Sequence, residues 1–310
     1  LLSRGLGDVY KRQETGKTQV AMIVKSTESA FFKSVFAGAR AAATEYNLNV
    51  TFNGPESEED YVTQNEMVRQ AMEDGVDVIV FSAVDYNANA EIIGQAAQRG
   101  IKIVVIDSDV NSSMVSCRIG TNNLQAGVKA AEAALAVGED ELYIGIVNYD
   151  VNSANGQQRE LGFRQTVEQD PRVKNITTIN VLSTTEDARA GAKEMLLPDS
   201  RINVVVTFNE WTSLGVGWAI RDLNRADRIQ VVAFDSNVVS VGMLETGEVD
   251  ALIVQNPYAM GYLGVETAAN LINGQTGGPS VIDTATTIVT RENMYERESQ
   301  KILFSFEERK

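Results

Sequence analysis

Histidine is absent from the 310 residues. That removes Ser-His-Asp and Cys-His nucleophilic chemistry, the commonest general base and most zinc sites. Cysteine occurs once, at Cys117, so no internal disulfide can form. Lying in a run that alternates apolar and polar residues, Cys117 reads as a small buried side chain rather than a reactive thiol, and it leaves the compartment open. No run approaches the roughly 20 apolar residues that span a bilayer. Basic residues are in deficit, 27 against 42 acidic, for a net charge of −15. Nucleic acid needs a basic face, so the balance argues against it. Gly16-Lys17-Thr18 resembles the end of a phosphate loop, but Lys11 stands where that loop needs its first glycine and no strand precedes it.

What remains is ordinary for a globular protein: 44% hydrophobic and 22% charged residues, at a length that suggests two domains. Residues 1–13, LLSRGLGDVYKRQ, lack an apolar h-region and do not read as an intact signal peptide. They resemble a translated adapter scar that replaced the native start, and with it any signal segment or lipid-anchoring cysteine. From Gln19 on, short apolar runs alternate with amphipathic stretches. Strands are expected at Val20–Val24, Leu48–Phe52, Val76–Phe81 and Ile101–Ile106, with helices at Phe31–Tyr46, Glu58–Asp74 and Ala88–Arg99. Gly75 and Gly100 stand where left-handed helix caps belong. The pattern restarts at a helix from Asn123 and runs through strands at Leu142–Val147, Ile176–Leu182, Val204–Thr207, Gln230–Phe234 and Ala251–Val254. One further strand is expected around Val281–Val289, and the tail from Tyr295 is expected to dock as a short helix or strand. Near-continuous apolar strands belong to parallel sheets covered on both faces. The expected fold is therefore α/β, with two similar doubly wound parallel-sheet lobes and right-handed crossovers.

Ligands of such sheets sit at the carboxyl ends of the strands. Residues at those ends are Lys25 to Phe32, Ser82 to Asp85, Asp107-Ser108-Asp109, Asn148 to Gln157, Asn209-Glu210-Trp211, Asp235 and Gln255. Carboxylates and amides bind adjacent hydroxyls, and aromatic faces cover the apolar side of a sugar ring, so a polyhydroxylated small molecule is the natural client. The alternative for Asp235 is that it merely caps the helix that follows. Enzyme motifs fail. There is no G-x-S-x-G elbow. In Asp107-x-Asp109-x-Asn111 the calcium-loop glycine is replaced by Ser112 and the closing glutamate by Arg118. Gly215-x-Gly217 lies inside a helix and reads as packing. Paired carboxylates keep a glycosidase-type enzyme as a remote alternative.

At this point the residues resemble a family, the type I periplasmic binding proteins, in the ribose and galactose branch. The resemblance runs from about Gln19 to Thr290 and rests on a strand followed by Lys25 to Phe32, then Ile106-Asp107, Gly120-Thr-Asn-Asn, Ser153 to Gly162-Phe163, Phe208-Asn209-Glu210, Phe234-Asp235 and Gln255-Asn-Pro-Tyr. The superfamily's repressors carry a helix-turn-helix before the first strand; with the first strand expected near Gln19, none is expected here. The resemblance implies that Phe31, Phe32, Asp107, Asn209, Asp235 and Gln255 match sugar-contacting positions. Lys25, Gln157 and Trp211 complete the candidate set. Departures are Lys25 for a small hydroxyl residue, Ser29 for an asparagine, Ser108 and Gln157 for the arginines that grip a pentose, and Glu186 near an aromatic position. A lysine at position 25 is similar to the autoinducer-2 binders.

The implied function is extracytoplasmic binding of a neutral or amino-bearing sugar in an inter-lobe cleft and delivery to the permease of an ABC importer. It involves no enzyme activity, no cofactor, no metal and no nucleic acid. A sensory receptor for a sugar or autoinducer-2-like signal is the alternative. The chain is expected to act as a monomer, attached to a membrane only through a lost lipid anchor. The implied domains are 14–121 plus 256–283 and 122–255 plus 284–310, joined by a hinge that the chain crosses three times.

Overall fold

The computed structural model describes residues 16–275 and 278–304. The segment read as an adapter scar and Phe306 of the tail lie outside the described residues. The chain divides into two compact units: the described residues up to Glu28, Phe32–Gly120 and Pro257–Asp283 form the first, and Ser29–Phe31, Thr121–Asn256 and the residues from Thr284 on form the second.

In the first unit the strands are β1 (Gln19–Ile23), β2 (Asn49–Asn53), β3 (Val78–Phe81), β4 (Lys102–Ile106), β5 (Cys117–Thr121) and β11 (Val281–Thr284), in the order β11-β5-β4-β3-β1-β2. The pairs from β2 through β1, β3 and β4 to β5 are all parallel. Helices α1 (Ala30–Glu45), α2 (Tyr61–Glu73) and α3 (Ala90–Gln98) connect them, and α9 (Pro257–Ile272) returns to this unit. β3 is buried along its whole length, and the β-branched and aromatic run VIVF suits a strand with apolar cover on both sides. Along α1 the stripe Phe32, Val35, Phe36, Ala39 and Ala42 is buried, at the spacing that a helix with one core face requires. Gly75 and Gly100 take φ of +71° and +88°, as their places beyond helix ends anticipate.

The second unit repeats the plan. Its strands are β6 (Leu142–Asn148), β7 (Val173–Asn180), β8 (Val204–Thr207), β9 (Gln230–Phe234), β10 (Ala251–Val254) and β12 (Thr287–Thr290), in the order β12-β10-β9-β8-β6-β7. All pairs between β7 and β10 are parallel, and β12 runs antiparallel to β10. The helices are α4 (Asn123–Leu135), α5 (Ala154–Val167), α6 (Thr185–Leu196), α7 (Glu210–Leu223), α8 (Val238–Thr246) and α10 (Arg297–Leu303). Leu303 is buried in the core with Ile302 and Phe304 against it, so the tail docks as a helix. The doubly wound α/β reading holds in both units.

In each unit glycine brings helices close together. A Cβ on Gly38 of α1 would lie 2.0 Å from the Tyr258 carbonyl oxygen of α9, and one on Gly261 of α9 would lie 1.8 Å from that of Val35. In the second unit a Cβ on Gly127 of α4 would lie 2.0 Å from the Arg159 carbonyl oxygen of α5, and one on Gly162 2.1 Å from that of Leu124. Backbones at this distance leave no room for a side chain.

Two expectations need correction. β5 is a strand that the apolar runs do not announce, because its residues alternate between buried and half-buried. The single strand expected around Val281–Val289 is two, β11 and β12, which join different sheets. Cys117 is buried, its Sγ 3.3 Å from the Pro279 carbonyl oxygen, and burial pushes the thiol up in pKa, away from reactive thiolate.

Candidate functional site

The strand order reverses beside β1 in the first sheet and beside β6 in the second. A doubly wound sheet opens its ligand crevice at such a point, outside the carboxyl ends of the strands. In the first unit Lys25 follows β1, Ser82 follows β3 and Asp107 follows β4. Lys25 is buried and its Nζ lies 3.5 Å from Glu58, also buried. The Ser82 hydroxyl donates to the Asp107 carboxylate at 2.8 Å. Asp109 accepts from Arg118 at 2.8 Å, and Asp85 accepts from the backbone N–H of Asn87 and Ala88 at 2.8 and 2.7 Å. Those two carboxylates are engaged in holding loops.

The second unit carries a polar network at the carboxyl ends of its own strands. Gln255, after β10, donates through Nε2 to Asp235, after β9, at 2.7 Å. Its Oε1 accepts from Thr121 Oγ1 and from Arg159 Nη2, each at 2.7 Å. Asn209 begins α7 as a capping box: its Oδ1 accepts from the Thr212 N–H at 2.9 Å, and its Nδ2 donates to Ser183 Oγ at 2.7 Å. The cap of α8 is Asn237, which accepts from the Ser240 N–H at 2.8 Å. The alternative in which Asp235 caps this helix is therefore overturned.

Among the described residues, four other than glycine have positive φ: Asn47, Asn224, Asp107 at +58° and Asp235 at +68°. Asn224 is the C-cap of α7 and Asn47 lies just beyond α1, where left-handed backbone is customary. The two aspartates instead end β4 and β9, corresponding strands of the two sheets. Left-handed backbone costs an L-residue roughly 1–2 kcal/mol, less for aspartate, and such strain gathers at functional sites.

Glu210, 6% exposed, accepts from the backbone N–H of Ala30 and Phe31 at 3.2 and 3.1 Å and from Asn237 Nδ2 at 3.1 Å. Burial pushes its carboxyl up to about 7; the Phe31 N–H opposes that rise and the Asp235 charge adds to it. A carboxyl whose folded pKa lies above its unfolded value, 4.5, binds its proton more tightly when folded. Its contribution to stability is full below the unfolded pKa and is lost as pH rises through the folded one. Urea unfolding is expected to show the wild type losing about 3 kcal/mol more than Glu210→Gln between pH 4.5 and 8. Equal losses in both proteins would assign the trend to other groups.

Phe31 and Phe32 are both buried, at 8% and 2% exposure. Gln157 is half-buried, and its Nε2 is a buried donor without a partner among the described residues. The same holds for the buried Ser108 Oγ. These are the two positions at which the resemblance expects arginine, and buried polar atoms of this kind call for an explanation. Trp211 is half-buried in the first turn of α7, whereas Trp218 lies two turns on under the guanidinium groups of Arg221 and Arg189, at 4.8 and 5.9 Å. Glu186 is exposed in the first turn of α6.

Sequence reasoning did not single out Glu58, Ser183, Asn237 or, above all, Arg159. Arg159 is 1% exposed and donates to Asn123 Oδ1 at 2.9 Å, the Phe208 carbonyl at 2.6 Å and Gln255 Oε1 at 2.7 Å. Its guanidinium lies 4.9 Å from the centre of the Phe234 ring. The available signal was its position: Asn155, Gly156, Arg159, Phe163 and Val167 form the buried stripe of α5, a charge where a helix buries its face.

A family model described as periplasmic binding protein domain matches residues 20–276. The D-ribose/D-allose-binding protein of Pseudomonas aeruginosa is 26% identical over 288 residues, covering 88% of this chain and 89% of that protein. The carbohydrate transporter solute binding protein of Agrobacterium radiobacter, solved in complex with D-arabinose, superposes with a TM-score of 0.89 at 27% identity, covering 93% of this chain and 99% of that one. An ABC transporter solute binding protein of Agrobacterium vitis with bound D-fucose gives 0.88 at 26% identity, covering 92% and 100%.

Proposed function

The chain belongs to the periplasmic binding protein domain family, and from that premise we propose that it captures a neutral or amino-bearing sugar outside the cytoplasm. It passes the sugar to the permease of an ABC importer and acts as a monomer, free or lipid-anchored. Asp107, on the first unit, and Asp235, Asn209 and Gln255, on the second, supply hydrogen bonds to ligand hydroxyls. Lys25, Phe31, Phe32, Gln157 and Trp211 complete the lining. The observation that carries this reading is the pair of strand-ending aspartates held in left-handed backbone. Strain kept at corresponding places in two units points to a shared task rather than to packing.

Selectivity follows from charge. Lys25 is committed to Glu58 and Arg159 to three acceptors, while Ser108 and Gln157 carry no charge. An anionic ligand entering beside Asp107 and Asp235 meets an unpaired, desolvated charge, which is costly. In a thermal-shift panel, neutral pentoses and hexoses are expected to raise the melting temperature, and uronic acids and sugar phosphates are not. A winning anion overturns the charge argument.

Trp211, beside Asn209, gives a second readout. Sugar binding is expected to change intrinsic fluorescence in the wild type and in Trp218→Phe, and to lose most of that change in Trp211→Phe. The reverse pattern removes Trp211 from the ligand lining.

A further inference from the structure

Gln255 sits between two opposite charges. On one side its Oε1 takes hydrogen bonds from Arg159 Nη2 and Thr121 Oγ1; on the other its Nε2 donates to Asp235 Oδ1. Turning the amide over would set its NH2 group against a guanidinium and its oxygen against a carboxylate. Both faces would then be repulsive, so the orientation is fixed by charge as well as by shape. Arg159 is itself immobilised. Its three donors go to α4, to the end of β8 and to the residue after β10, and the Phe234 ring of β9 lies against its plane. One side chain thus links three adjacent strand ends and a helix start, at 1% exposure. A lysine in its place is a single point donor and cannot serve three acceptors in a planar fork.

We propose that Arg159 is a positioning residue for ligand capture. Without touching ligand, it fixes the Gln255 amide with the oxygen inward, and Gln255 in turn holds the Asp235 carboxylate for the sugar. This rests on the sugar-binding reading. The geometry makes position 255 a donor at the sheet edge, since its oxygen is occupied from within. It also connects Asp235 to a buried cation through one neutral amide.

The test is a double-mutant cycle on affinity, measured by calorimetry with D-ribose, D-allose, D-arabinose, D-fucose and D-tagatose on Arg159→Lys, Gln255→Ala and the double variant. Circular dichroism first confirms that each folds. Arg159→Lys is expected to weaken binding about tenfold in the wild-type background, and less than about twofold once Gln255 is alanine. A general structural role gives the same loss in both backgrounds and overturns the proposal. A second arm needs no sugar: the side-chain amide resonances of Gln255, assigned by their disappearance in Gln255→Ala. In the wild type the two protons are expected to be well separated and slow to exchange; in Arg159→Lys they collapse toward free-amide positions. Unchanged resonances overturn the positioning role even if sugars bind. If no sugar binds the wild type, the functional reading fails while this arm still decides what Arg159 does to Gln255.

Discussion

Asp235→Ala and Asp107→Ala are each expected to weaken sugar binding by about ten- to a thousandfold, the range for losing one or two hydrogen bonds to a charged group at roughly 1.5–3 kcal/mol each. Asp235 is 6% exposed and already accepts from Gln255, so removing it also takes that acceptor away from Gln255 Nε2. Neither variant should unfold, because neither side chain belongs to the apolar core. Alanine tolerates left-handed backbone less well than aspartate, so a stability loss of about 1 kcal/mol accompanies the change. Asparagine at either position keeps the turn and isolates the charge. Titration calorimetry against denaturant unfolding separates the two effects. Normal affinity with lowered stability in the alanine variants would mean that these aspartates shape turns and bind nothing.

Gly127→Ala is expected to destabilise the protein by about 3 kcal/mol, the upper part of the usual range for overpacking. The added Cβ lies 2.0 Å from the Arg159 carbonyl oxygen, so α4 and α5 must separate. Arg159 then moves with its helix, and sugar affinity falls as well. Gly94 in α3 and Gly242 in α8 have nothing within 4 Å of a built Cβ. There alanine is expected to stabilise by roughly 0.5–1 kcal/mol, since it limits the unfolded chain without meeting a neighbour. Thermal melts of the three variants test the contrast. A Gly127→Ala protein as stable as Gly94→Ala would show that the two helices have room to part.

The alternation of elements was legible because parallel strands covered on both faces are written as apolar runs, and β1, β3, β4, β8, β9 and β10 are of that kind. β5 was hidden because its five residues alternate in burial and include Gly120. The boundary between β11 and β12 was hidden because Ala285 and Thr286, which separate them, are not turn residues. Asp107 and Asp235 were legible as polar groups at strand ends, but their backbone conformation was not. Asp235 was readable as the helix cap, and Asn237, two positions on, which caps the helix instead, was missed. The glycine crossings and the partners of Arg159 depend on which elements meet, a tertiary fact that no local pattern encodes, although the place of Arg159 on the buried stripe of α5 follows from helical spacing.

The most direct measurement is titration calorimetry of the wild-type protein with neutral monosaccharides, followed by denaturation and chemical identification of the released ligand. At least one neutral pentose or hexose is expected to bind with one-to-one stoichiometry, to lose affinity in Asp107→Ala and in Asp235→Ala, and to be recovered unchanged. Failure of every neutral sugar to bind, tighter binding of a sugar phosphate or uronic acid, or recovery of a chemically altered sugar would contradict that expectation.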